Sequence, residues 1–396
     1  MLYLRKFSCA LLVIVIAIGI LTFADIAHFG TAQASTQVNG IITSDTTWTK
    51  ASSPYNLTGP VAVNEGVALT IEPGVTVNLG NFYLQVNGTL DAQGTNSDRI
   101  IFISSNGNIY PPNNINLPSA TAECTIENAI LTKTSILSYS GTVKINNCVL
   151  EDGAGIQAYS SSIISNNYIT GGILVRNSSV VSDNTILNGI DAGDSYTISG
   201  SNITNTNGVG LNNGIWVMNI GGGTGTISDN IISGGSTAGI NLVGSATIER
   251  NLITNNQLGI SIRSKDDNST IQNNTITNNQ IGILNPTPMQ KIICNNIESN
   301  SNYNMQVGTQ SSVNATYNWW GTTDTQAINQ TIYDNKNDFN LGTVTFVPFL
   351  TEPNPEAPPT SSPEIPEFSP IILVQLIMAT LAVGVGFKTK KHKLTP

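Results

Sequence analysis

Ile164-Ser165-Asn166-Asn167-Tyr168-Ile169 is a phrase that returns, with small changes, along the chain. Val181-Ser-Asp-Asn184-Thr-Ile186, Ile227-Ser-Asp-Asn230-Ile-Ile232, Ile248-Glu-Arg-Asn251-Leu-Ile253 and Ile271-Gln-Asn-Asn274-Thr-Ile276 are further copies. Shorter variants extend the series to Asn128, Asn147, Asn202, Asn295 and Asn318, giving successive spacings of 19, 20, 17, 18, 28, 21, 23, 21 and 23 residues. A repeat of this length is the signature of a solenoid, in which each coil is one turn of a stack. The single spacing of 28 marks an inserted loop.

A second phrase lies between the Asn phrases: Gly155-Ile156-Gln-Ala158, Gly172-Ile173-Leu-Val175, Gly189-Ile190-Asp-Ala192, Gly214-Ile215-Trp-Val217, Gly239-Ile240-Asn-Leu242 and Gly259-Ile260-Ser-Ile262. Its alternation of period two places the apolar pairs on one face, which must line the interior. Two strands per coil are legible in this way. A coil of about 20 residues cannot bury its own apolar edge, but stacking at roughly 4.8 Å per coil builds a continuous core. The Asn residues at Asn128, Asn147, Asn167, Asn184, Asn202, Asn230, Asn251, Asn274, Asn295 and Asn318 then form a side-chain ladder at the bend, like the ladders of stacked cross-β structures. A residue present at every coil cannot mark one active site, so the ladder is architectural.

Composition agrees with an all-β fold. Only 10% of the 396 residues are charged, and Gly, Ser, Thr and Asn stand where a helical bundle carries Lys and Glu. The net charge of −9, without a basic block or aromatic residues interleaved with Arg and Lys in the repeats, argues against nucleic acid as a partner. Cys9, Cys124, Cys148 and Cys294 sit at unrelated offsets, so neither a disulfide framework nor a metal site follows. Both histidines, His28 and His392, lie outside the repeats.

The termini read as targeting signals. Residues 1–34 hold Arg5-Lys6, an apolar run and Ala32-Gln33-Ala34, which fits a secretory leader cleaved after Ala34, an uncleaved membrane anchor being the alternative. Residues 35–58 form a lead-in or cap, 59–321 the repeats and 322–350 a C-terminal cap ending in the closing strand of Val344-Thr-Phe346. Residues 351–368 are rich in Pro and read as an extended spacer. An apolar segment at 369–387 is just long enough to cross a bilayer, and the basic tail 388–396 would stay cytoplasmic, with the repeats outside. Sequons at Asn56, Asn87, Asn177, Asn202, Asn268, Asn273, Asn314 and Asn329 are compatible with a glycosylated exterior.

Three passages carry a family resemblance: Leu69-Thr-Ile-Glu-Pro-Gly-Val-Thr-Val77 with Gly88-Thr-Leu-Asp-Ala92, the Asn-Asn-Thr-Ile repeats, and Tyr317-Asn-Trp-Trp-Gly321 followed by Ile332-Tyr-Asp334 and Val347-Pro-Phe-Leu350. Together they resemble right-handed parallel β-helix proteins of the pectin-lyase-like superfamily, especially extracellular archaeal and bacterial members. The expected fold is therefore an all-β, right-handed parallel β-helix of about ten or more coils, with an N-terminal signal segment and a C-terminal transmembrane helix. The spacer, Pro366-Glu-Phe368, apolar segment and basic tail also resemble the C-terminal sorting signals of archaeal surface proteins, which implies replacement of the helix by a lipid anchor.

The fold hosts enzymes and binding proteins alike, so function must be read from side chains. Enzymes of this resemblance act on acidic polysaccharides through clustered Asp residues, or through Ca²⁺ with a basic residue. Asp183 and Asp229 are two coils apart, Asp191 and Asp194 share one coil, and no histidine falls in the repeats. Metal delivery of the kind resembling periplasmic copper-handling proteins lacks clustered Met, Cys and His. Outward positions of the Gly-Ile strand are more informative: Tyr139, Tyr159, Leu174, Arg176, Asp191 and Trp216 would form a strip of apolar rings beside polar groups. Such a strip suits a sugar, whose ring has an apolar face and a polar rim. Burial of the strip by the loop between Ile203 and Ile215, or by residues before Cys124, is the plainer alternative. The reading favoured is a non-catalytic, surface-anchored protein that binds glycans or neighbouring surface material, with a polysaccharide lyase, hydrolase or epimerase acting on the same face as the alternative.

Overall fold

A computed structural model describes residues 35–105, 114–119, 123–205, 213–219, 222–264 and 268–360. The leader, the apolar segment at 369–387, the basic tail and both histidines lie outside the described residues. Among the described residues no helix is long and apolar enough to cross a membrane.

The chain is an all-β parallel solenoid. Among the described residues all but two of its strands fall into a 12-stranded sheet and a 25-stranded sheet. Since each coil sends one strand to the smaller sheet, about 12 coils stack to a rod of roughly 55 Å. One coil illustrates the unit: Ser162–Ser165 belongs to the smaller sheet, and Tyr168–Ile169 and Ile173–Val175 belong to the larger. Each pairs in parallel with its counterpart one coil on, at Ser179–Ser182, Thr185–Ile186 and Ile190–Ala192. A coil thus has three strands rather than the two that alternation reveals. The third was hidden because the Asn phrase spans a bend, and a two-residue strand is too short to show a period.

The bend has a fixed conformation. Asn166, Asp183, Asp229, Arg250 and Asn273 occupy the left-handed region, with φ between 53° and 59°, where the short polar side chains of Asn and Asp are better tolerated than others. Inside, Ile164, Ile169 and Val175 are fully buried and stack on Val181, Ile186 and Ala192 of the next coil. Full burial of each large aliphatic side chain stabilises by about 1.5–3 kcal/mol. The glycine of the Gly-Ile phrase has a separate cause. A Cβ at Gly155, Gly214 or Gly259 would lie 2.6, 2.6 or 2.4 Å from the carbonyl oxygen of the corresponding glycine in the next coil. Only glycine permits coils to approach this closely.

Both boundaries of the solenoid shift from the expectation. Thr36–Ile42 already pairs in parallel with Tyr55–Val63, and Thr46–Trp48 with Ala68–Ile71, so residues 35–58 are the first coil and not a lead-in. Its corner is closed by Trp48 stacked on Tyr55, ring centroids 4.9 Å apart. At the other end the helix Thr325–Gln330 is capped by Asp324, whose carboxylate accepts the Gln326 and Ala327 amides. The last parallel strand is Ile332–Tyr333, laid on Tyr303–Gln306, while Val344–Thr345 pairs with Val313–Asn314 in a sheet of its own.

The Pro-rich stretch is not a free spacer in its first part. Residues 351–360 fold back as a strap over the outer side of the larger sheet. The Asn354 amide donates to Asn296 Oδ1 at 2.8 Å, and its side chain donates to the Cys294 carbonyl at 2.6 Å and to Asn273 Oδ1 at 3.0 Å. The Thr275 hydroxyl donates to the Pro358 carbonyl, and Ala357 is buried. The strap turns at Asn354–Ala357, where the Ala357 amide donates to the Asn354 carbonyl at 3.3 Å, and Asn354 finds the polar groups that hold it down.

Candidate functional site

The Asn ladder is continuous and buried. Asn251 Oδ1 accepts the backbone and side-chain N–H groups of Asn230, each at 3.0 Å, and Asn251 Nδ2 donates to Asn274 Oδ1 and to the Ile227 and Glu249 carbonyls. The same pattern links Asn167 to Asn184, and Asn274 through Asn295 to Asn318. One of the expected positions needs correction: Asn202 is a strand residue and the rung is Ser201, whose hydroxyl accepts from the Asn184 amide at 3.2 Å. Asn128 and Asn147 do bond across their coils, Asn147 Nδ2 donating to Asn128 Oδ1 at 2.5 Å, but from the left-handed position one residue before the buried line, with φ of 50° and 52°.

The rung beside Asn147 is Cys148. Its amide donates to Asn167 Oδ1 at 2.8 Å and its thiol lies 3.5 and 3.3 Å from the Ile126 and Asn146 carbonyls, as an Asn side chain would. Burial pushes the Cys148 thiol up to about 12. Aligning the inward residues Ile126/Leu131, Ile145/Leu150 and Ile198/Ile203, instead of the Asn residues, would have found the buried line in each of these coils. A second ladder, which the repeat phrase does not reveal, runs beside the first: Asn256 Nδ2 donates to Asn279 Oδ1 and Asn279 Nδ2 to Asn300 Oδ1, each at 3.0 Å. Its signal was present in Thr254-Asn-Asn256 and Thr277-Asn-Asn279.

The outward strip is assembled by strand register. Leu137, Gln157, Leu174, Asp191, Trp216, Asn241 and Ser261 fall in one column across seven coils. Beside it Tyr139 and Tyr159 stack face to face, with centroids 5.3 Å apart and planes inclined by 1°. Tyr139 is 53% exposed, Tyr159, Leu174, Arg176, Asp191 and Trp216 are half-buried, and Leu137 is buried. Arg176 donates to Asp191 Oδ1 at 3.0 Å, to its own coil's Val175 carbonyl at 2.8 Å and to the Asp191 carbonyl at 3.2 Å. A Cβ at Gly193 would stand 3.0 Å from Arg176 Cδ and Nε, so the missing side chain leaves the notch in which Arg176 lies. Burial raises the Asp191 carboxyl above its ordinary value, partly opposed by Arg176.

The strip changes character along the rod. Asn241 and Ser261 are buried, and Arg263 Nε donates to Asn241 Oδ1 at 3.3 Å. Trp216 keeps an indole N–H without a partner among the described residues. The open part therefore runs from Tyr139 to Trp216. Asp191 is the only carboxylate in its two outward columns, and it is engaged by Arg176. A hydrolytic pair roughly 5–10 Å apart is not assembled there.

With fold and site in view, the protein is a parallel β-helix repeat protein. Residues 177–337 match the model of a family described as "Periplasmic copper-binding protein (NosD)". The match runs from the coil of Arg176 into the C-terminal cap. No curated protein and no solved structure shows a significant match.

Copper needs soft or imidazole donors brought together. Among the described residues no three His, Cys, Asp or Glu side chains are grouped to hold a metal. Cys124 and Cys148 are buried with thiols raised by burial, Met305 is fully buried and Met289 stands exposed in a different segment. These residues do not fit a copper site.

Proposed function

We propose that this protein is a non-catalytic β-helix of the cell exterior that binds glycans or neighbouring surface material through the strip from Tyr139 to Trp216. The Tyr139–Tyr159 stack carries the reading. It holds an exposed aromatic edge at fixed position beside Leu174, and it adjoins Arg176 and Asp191, which offer a donor and an acceptor for sugar hydroxyls. Rigid aromatic rings flanked by hydrogen-bonding groups suit a ligand with an apolar ring face and a polar rim.

The periplasmic description of the matching family supports a location outside the cytoplasm. The leader at 1–34 would deliver the chain there, and the segment at 369–387, kept as a helix or exchanged for lipid, would anchor it. Copper binding, named in that family's description, finds no donor set among the described residues.

Glycan-array binding of wild type against Tyr159→Ala and Trp216→Ala tests the assignment. An aromatic contact is worth about 0.5–1.5 kcal/mol, so each variant should bind up to about tenfold more weakly. Equal binding by all three proteins removes the site. Incubation with polyuronides, with and without Ca²⁺, separates the enzymatic alternative: new reducing ends or unsaturated products would overturn the non-catalytic reading.

A further inference from the structure

We infer that Asn314 is an acceptor for N-linked glycan on the folded protein, and that the strap closes the sequon at Asn273. The inference begins with side-chain geometry in Asn314-Ala315-Thr316. The Thr316 hydroxyl donates to Asn314 Oδ1 at 2.9 Å and the Thr316 amide donates to the same oxygen at 3.1 Å. These two bonds hold the carboxamide by its oxygen and leave Nδ2 available. Asn314 is exposed, whereas Val313 and Ala315 on either side are buried.

The turn is anchored from below. Asn318, a buried rung of the ladder, donates to the Ala315 and Thr316 carbonyls at 2.9 and 3.3 Å. The acceptor is thus presented on a rigid support at the outer side of the C-terminal end.

Three other sequons have spent groups that the transfer needs. Asn177 donates its Nδ2 to the Tyr159 carbonyl at 2.6 Å. The Thr331 hydroxyl of the Asn329 sequon donates to the Ile328 carbonyl at 2.8 Å. At Asn273 the closure is complete: Nδ2 donates to Glu356 Oε2 at 3.2 Å, Oδ1 accepts from Asn354, and the fully buried Thr275 donates its hydroxyl to Pro358.

The donor substrate would be a saccharide linked through its anomeric carbon to a lipid phosphate, used by a membrane-bound transferase. Asn314 Nδ2 forms the bond to the anomeric carbon. The bond from that carbon to the phosphate oxygen breaks, its electron pair leaves on the lipid phosphate, and one Nδ2 proton passes to a base of the transferase.

The test uses purified, folded full-length protein and a transferase first shown to modify the free peptide spanning 310–320. Occupancy is read by mass spectrometry of glycopeptides. Asn314 should be occupied at least tenfold more than Asn273, Thr316→Ser should retain the modification, and Thr316→Val should abolish it. Asn354→Ala, which loosens the strap, should raise occupancy at Asn273 while leaving Asn314 unchanged. An unmodified Asn314 in folded protein, or Asn273 modified to the same extent, overturns the inference.

Discussion

At the scale of single residues, the ladder shows what one side chain contributes. Asn251→Ala would leave the Asn230 amide and side chain without their acceptor in a fully buried place. Each stranded buried group costs about 1–3 kcal/mol, so a loss of about 3 kcal/mol is expected in urea unfolding. The converse is expected at Ser201, where a hydroxyl stands in for the amide. Ser201→Asn can supply the missing bond towards the neighbouring rungs and should stabilise by about 1 kcal/mol. Cys148 adds a pH dependence whose sign is fixed by its direction of shift. Its thiol titrates near 9.0 when solvated and at about 12 in the fold, so the folded state holds the proton more tightly. Its contribution is full below pH 9 and is lost as pH rises from 9 towards 12. A Cys148→Ser variant should lose less stability over that interval than wild type, measured by thermal unfolding across the pH series. The register of these rungs was legible in the spacing of inward apolar residues. The Asn letter alone does not fix it, because Asn128 and Asn147 take the left-handed position one residue before the rung and Asn202 opens the strand one residue after it.

At the scale of elements, the strap separates what composition can and cannot tell. Six prolines between 353 and 366 specify an extended chain. Whether that chain stands free or lies packed depends on Asn296, Asn273 and the Cys294 carbonyl, which come from coils 58 to 81 residues away and meet only when the solenoid is stacked. No local pattern encodes that meeting. Since the strap covers the sheet from outside and lends it no strand, it should open on its own. Asn354→Ala removes the two side-chain hydrogen bonds to Asn273 and to the Cys294 carbonyl and is expected to release residues 351–360 to limited proteolysis at least tenfold faster, with the unfolding midpoint of the solenoid almost unchanged. A large fall in that midpoint would show instead that strap and coils unfold as one unit. The outward strip follows the same division. Columns of side chains were readable because register is set by the inward Ile positions, whereas the burial of Asn241 and Ser261 was not, since nothing in their own strands announces it.

At the scale of the molecule, a solenoid has two ends, and the two differ here. Thr36–Ile42 is paired on one side only among the described residues, carries no charged side chain, and leaves Ile41 65% exposed. The other end is closed by Ile332–Tyr333, the short helix and the strap. Asp334 holds part of this closure: burial works to raise its carboxyl, but the Val344 amide and Lys336 outweigh it and keep it below the ordinary value. That contribution is present above the unfolded pKa and fades as pH falls through the folded one. An unpaired edge invites another strand, and the geometry of edges decides what forms. Among the described residues Thr36–Ile42 is the one long end strand of the larger sheet, the opposite end being the two-residue Ile332–Tyr333, so association through Thr36–Ile42 alone stops at a pair. Deleting residues 322–360 would bare Tyr303–Gln306 as a second edge that runs parallel to the first in the same stack. The first coil of one molecule could then continue the last coil of another, a heterologous contact that does not close and therefore grows. Light scattering of the deletion variant should show species that lengthen with concentration, and Ile41→Lys in the same background should suppress them. Growth that survives Ile41→Lys would place the contact elsewhere, and a deletion variant that stays monomeric would mean that the cap does not guard an edge.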